Sequence, residues 1–153
     1  MEGPAFAKRA RVKRILVCLD HSARETFVFV QAKELAEKLS ARLTLLHVVV
    51  PKSGLTLPGV PDSPETKARL DDALRELHEL GSQVAKDHLE RCTAEAGEPW
   101  RVITHAARTY AADYILIGTH GFDRTDVLFG STVRQVVEHA DRTVIVARPK
   151  PRE

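Results

Sequence analysis

Residues 42–50 read RLTLLHVVV, and this run narrows the possible folds more than any other part of the chain. A strand with one wet face alternates apolar and polar residues. After Arg42 it is apolar on both sides apart from Thr44 and His47. It has to be covered on both faces, as in a parallel sheet flanked by helices. KRILVCLD (13–20), DYILIG (113–118) and RTVIVAR (142–148) have the same character.

Helix-period segments separate these runs. Ser22 and Glu25 stand at capping-box spacing and open a helix to about Ser40, with Phe27, Val30, Leu35, Ala36 and Leu39 expected on its inner face. PKSGLTLPGVPDSP (51–64) holds four prolines and two glycines and reads as a surface loop. Ser63 and Pro64 suit the cap and first position of a long helix carrying Leu70, Leu74 and Leu77, with Val84 in the same register. Gly81 interrupts that pattern near its end. A weaker strand is expected at about Leu89 to Glu95. Pro99 begins a further helix facing inward through Val102, Ile103, Ala106 and Tyr110. A last helix, VRQVVEHA, follows Thr132. The order is βαβαβαβαβ: a single α/β domain with an open parallel sheet and helices on both faces. Residues 12–148 form this domain, between a basic tail (1–11) and a short C-terminal tail (149–153).

With 43% hydrophobic and 29% charged residues, the composition is that of a soluble globular protein. Neither a membrane span nor a secretory signal is evident. Cys18 and Cys92 make no disulfide framework, and a cytoplasmic location is expected. Net charge is +2, but Lys8, Arg9, Arg11, Lys13 and Arg14 oppose only Glu2 in the first 14 residues, which leaves −2 for the rest. A nucleic-acid-binding domain would spread basic charge along a groove, so that class is set aside.

In sheets of this kind ligands bind beyond the carboxyl ends of the strands, near the switch in strand order. The strand ends place Asp20, Val48, Val49 and Gly118 around one crevice. Next comes GTHGFDRTDVLFGST (118–132). Its glycines allow close backbone approach, and Gly130, Ser131 and Thr132 stand where a helix start offers N–H groups and hydroxyls to an anion. A helix dipole supplies only ~0.3–1 kcal/mol at an exposed site, whereas micromolar binding needs ~8 kcal/mol. A nucleotide therefore needs the whole crevice. Turn glycines and an ordinary helix start are the plainer reading of the same residues. Neither G-x-x-x-x-G-K-[ST] nor G-x-G-x-x-G occurs. His47 reads as a hydrogen-bonded core histidine, Ser22 as a cap before a ligand contact, and Cys18 as a small core residue. His78, His88, His105 and His139 form no metal spacing.

ILVCLDHS, LTLLHVV, GEP and DYILIGTHG together resemble the universal stress protein family over about residues 12–147. The resemblance implies a Rossmann-like fold of the adenine nucleotide alpha-hydrolase-like type, strand order 3-2-1-4-5. It also implies a homodimer, with the last strand, Thr143–Ala147, at a sheet edge where it can pair across a twofold axis. In the family's ATP-binding branch Asp20 would contact the nucleoside and Val48 the adenine. Gly118, His120 and Gly121, with Ile117 before them, would line ribose and phosphates. Gly130, Ser131 and Thr132 would close on the phosphate tail, and Ser22 would stand near the nucleoside. Two departures stand out. FDRTDVLF, between Gly121 and Gly130, has eight residues, one fewer than that branch's spacing, and Cys18 and His21 replace the usual Pro and Gly. The loop's Asp123 and Asp126 oppose a triphosphate, with Arg124 offsetting one of them, so Mg2+ is expected with ATP. The function implied is a regulatory ATP-binding homodimer of the stress response, with slow hydrolysis at most. The alternative is an interaction dimer of the same family without nucleotide.

Overall fold

A computed structural model describes residues 12–20, 25–52, 63–119 and 130–149. The basic tail, Ser22 with its capping box, the proline-rich loop, His120, Gly121 and the rest of the glycine loop lie outside the described residues. The elements are β1 (Arg14–Cys18), α1 (Glu25–Leu39), β2 (Arg42–Val49), α2 (Pro64–Gly81), β3 (Leu89–Ala96), α3 (Pro99–Thr109), β4 (Tyr114–Gly118), α4 (Ser131–His139) and β5 (Thr143–Ala147). A single 3₁₀ turn, Lys86–His88, leads into β3.

The five strands are parallel in the order β3-β2-β1-β4-β5, as expected. Alternation along each strand divides the interior into two layers. Ile15, Val17, Leu19, Leu43 and Leu45 pack with Val28, Phe29, Ala32 and Ala36 of α1 and Leu77 of α2. Leu16, Cys18, Leu46, Val48, Ile115 and Ile117 pack with Ile103, Ala106 and Ala107 of α3 and Val133 and Val136 of α4. This is the arrangement that right-handed crossovers require when the chain reverses direction between β3 and β4.

The expected inner face of α1 holds at Ala36, which is buried, and at Phe27 and Leu35, which pack against the core. It needs correction elsewhere: Val30 is 41% exposed and Leu39 36%, whereas Val28, Phe29 and Ala32 are buried. The helix lies close to the sheet, and close approach selects alanines over leucines at the contact. Gly118 shows the same closeness: a Cβ there would come within 3.1 Å of Val28 Cγ2. Elsewhere local chemistry and structure agree. Thr66 N–H donates to Ser63 Oγ at 3.1 Å, with Pro64 in the first helical position. Gly81 ends α2, where a Cβ would meet Cys92 Sγ at 3.1 Å. Pro99 starts α3. Trp100 stacks on His139 with ring centroids 4.2 Å apart, joining α3 to α4. Among the described residues no helix is long and apolar enough to cross a membrane.

Candidate functional site

The switch in strand order falls between β1 and β4, so the carboxyl ends of these strands and of β2 define the candidate site. β1 ends at Cys18, and Leu19 N–H still donates to Leu46 O at 2.9 Å. Asp20 therefore stands half-buried just past the strand. His47 Nδ1 lies 2.7 Å from Leu19 O, which clips the ends of β1 and β2 together. That ring is the hydrogen-bonded core histidine expected.

A hollow of ≈ 420 Å³ opens beside this clip, within the size range of small-molecule sites. Asp20, His47, Val48 and Val49 line its strand side. Arg69, Asp72, Ala73 and Glu76 line its helix side. Arg69 Nη1 donates to Val50 O at 3.0 Å, fixing the flank of α2 to the end of β2. Lys52 and Glu65 pair at 2.7 Å nearby. Asp20 on the strand side and Asp72 and Glu76 beside Arg69 on the helix side give three carboxylates to one guanidinium, so the lining is net negative at neutral pH, counting His47 as neutral.

The other half of the crevice is built differently. Gly130 N–H donates to Thr119 O at 2.9 Å, which pins the start of α4 to the end of β4. Gly130 occupies the cap position in extended conformation, so the cap residue itself has no side chain to bond the first turn. A first helical turn carries amides without intrahelical acceptors and a partial positive charge. Thr132 is buried there and Ser131 is exposed. Ile117 is buried in the α3/α4 layer and Gly118 is buried against Val28.

Of the residues proposed from sequence, Asp20 and Val48 line the hollow. Ile117, Gly118, Gly130, Ser131 and Thr132 stand at the same edge of the sheet without lining it. Ser22, His120 and Gly121 lie outside the described residues. Arg69, Asp72 and Glu76 were missed, although their spacing of three and four puts them on one face of α2. A polar helical stripe looks the same whether it faces solvent or a ligand. Cys18 is buried, and burial pushes its thiol far up, which makes it a poor nucleophile. Among the described residues no cluster of His, Cys, Asp and Glu could hold a metal.

The sequence and the fold recur in known proteins. The chain is 29% identical over 143 residues to universal stress protein A homolog 2 of Coxiella burnetii, covering 90% of this chain and 96% of that protein. The solved structure of universal stress protein UspA from Lactobacillus plantarum matches with a TM-score of 0.68 at 27% identity, covering 92% of this chain and all of that one. The universal stress protein from Archaeoglobus fulgidus in complex with dAMP has the same fold, with a TM-score of 0.61 at 21% identity over 89% of this chain and 97% of that one. The model of the universal stress protein family matches residues 11–148, and the chain belongs to that family.

Proposed function

We propose that this chain is a regulatory adenine-nucleotide-binding protein of the stress response, working in the cytoplasm as a homodimer. The observation that carries the reading is the hollow of ≈ 420 Å³ bounded by Asp20 and Val48, beside a helix start able to hold an anion. A solved relative crystallised with dAMP supports an adenine nucleotide as the class of ligand. ATP with Mg2+ is the form proposed. The cation would offset the carboxylates of the loop between Gly121 and Gly130, with Ser22, His120 and Gly121 completing the ribose and phosphate contacts. The role is binding rather than turnover. Hydrolysis is proposed to be slow at most, since fast phosphoryl transfer needs a positioned base and a metal cage. The partner surface proposed is β5, which among the described residues pairs only with β4.

One observation favours a second reading, an interaction dimer without nucleotide. The Gly130 amide is already engaged by Thr119 O, and the loop ahead of it is short.

The test begins with protein purified from cells and denatured, its supernatant resolved for nucleotides. Copurified ATP, ADP or AMP is expected. Thermal unfolding with ATP follows, with magnesium and with a chelator. Saturation at a hundred times Kd adds about 2.7 kcal/mol of stability, and a smaller effect is expected with the chelator. An empty supernatant together with no thermal shift would establish the interaction dimer instead. Equal shifts with and without magnesium would remove the cation from the reading.

A further inference from the structure

The two halves of the crevice offer opposite hydrogen-bonding partners. On the α2 side Asp20, Asp72 and Glu76 line the hollow, and an ionised carboxylate only accepts hydrogen bonds. On the α4 side the helix start supplies N–H groups, which only donate. A nucleotide is divided in the same way. Its phosphates accept and are negative. Its ribose hydroxyls and exocyclic amine donate and are uncharged.

We infer that the α2 stripe Arg69, Asp72 and Glu76 is a specificity-determining wall that recognises the donor-rich, uncharged nucleoside half of the ligand and turns the phosphates toward α4. The inference rests on the nucleotide reading above and adds residues to it. The geometry that supports it is the position of the stripe. Ala73 is buried between Asp72 and Glu76 and anchors α2 against the sheet, so the two carboxylates flank a packed residue. Arg69 is held in place by its bond to Val50 O. It supplies the one positive charge among the lining side chains, with His47 neutral. Asp72 Oδ1 accepts from Arg75 Nη1 at 3.0 Å, and a carboxylate has a second oxygen to offer a ligand. A phosphate placed in the hollow would meet a net negative set of lining side chains. A ribose or an amino group would meet acceptors.

The test uses the full-length protein and the double variant Asp72→Asn, Glu76→Gln. Both positions are exposed, so folding is retained, and circular dichroism checks this. Calorimetry measures adenosine and Mg-ATP against both proteins. The expected result is an equal loss for the two ligands, about tenfold, or ~1.4 kcal/mol, because both carry the same nucleoside. Unchanged adenosine affinity in a variant whose parent binds adenosine overturns the wall alone. Tighter ATP with unchanged adenosine also overturns it, since the carboxylates would then act only by repulsion. Failure of the parent protein to bind either ligand overturns the nucleotide reading itself, and the wall with it.

Discussion

β3 and β5 are both edge strands, and they are built on different plans. β3 has eight residues, LERCTAEA, three of them charged. Glu90 is bonded by Arg14 Nε at 3.1 Å, and Arg91 lies over the Tyr110 ring at 4.3 Å. β5 has five residues, TVIVA, with no charge among them. Its middle residues, Val144, Ile145 and Val146, are only half-buried. Charged side chains on an edge discourage another chain from adding to it, and an apolar edge lacks that protection. The contrast is the physical reason for placing the proposed homodimer at β5. On this reading one side of the sheet is guarded by the molecule's own charged side chains, and the other is the surface proposed for a partner.

The most severe way to break this contrast is to charge the apolar edge. Val144→Glu places like charges near a twofold axis, and the dimer is expected to weaken by about 3 kcal/mol or more, roughly a hundredfold in Kd. Sedimentation equilibrium reads this directly. Thr93→Glu, the comparable change on β3, leaves association unaltered. If the two variants exchange outcomes, the edges have been assigned the wrong way round.

Next in size is the anchor of β5. Arg142 Nη1 donates to Ala107 O at 2.7 Å and Ala112 O at 2.8 Å, closing the carboxyl end of α3 just before the strand begins. Arg142→Ala removes both charge-assisted bonds and costs about 3 kcal/mol in chemical denaturation. Arg142→Lys restores about half of that. A loss under about 1 kcal/mol in the alanine variant would mean that packing alone holds β5.

The far end of β3 is held by backbone geometry. Gly97 has φ +151°, and a Cβ there would sit 2.8 Å from Val102 Cγ2. Gly97→Ala is expected to lower stability by about 2 kcal/mol, from strain and overlap together. A melting temperature equal to that of the parent would show that the turn relaxes freely.

The smallest effect concerns Glu95, also on β3. Burial pushes its carboxyl up, and the charge of His105 pulls it partly back. Among the described residues its Oε2 is buried without a hydrogen-bond partner. The folded chain holds this proton more tightly than the unfolded chain does. The stability it contributes is therefore complete below about pH 4.5, the ordinary value, and is lost as pH rises through the folded value. Glu95→Gln removes that slope, a change of less than ~1 kcal/mol. Denaturation followed from pH 4 upward should show a flatter curve for the variant, and an unchanged curve would place the proton elsewhere.

Much of the fold was legible because the strands differ so sharply from their surroundings. LTLLHVV is buried throughout, as its apolar run requires, and the Ser63–Pro64 and Pro99 helix starts follow from cap geometry and a missing N–H. The phase of α1 was legible only in part: Phe27, Leu35 and Ala36 face the core as expected, and Val30 and Leu39 do not. Its contact is made by Ala32 and Ala36 as much as by Val28 and Phe29, and alanine gives little hydrophobic contrast, so the larger Val30 and Leu39 drew the inner face toward themselves. In the site, Asp20 and Val48 could be read because strand ends in such sheets gather around a crevice. Arg69, Asp72 and Glu76 could not, because only the tertiary position of α2 distinguishes them from an ordinary wet face.

The absence of a side chain at position 118 reaches further than the turn it introduces. A Cβ there would come within 3.1 Å of Val28 Cγ2, so the end of β4 and the inner surface of α1 meet with little room between them. Pressure on one is felt by the other. A bulkier residue there would have to push Val28 aside, and a variant at this position would report on the jamming of that joint as much as on any ligand.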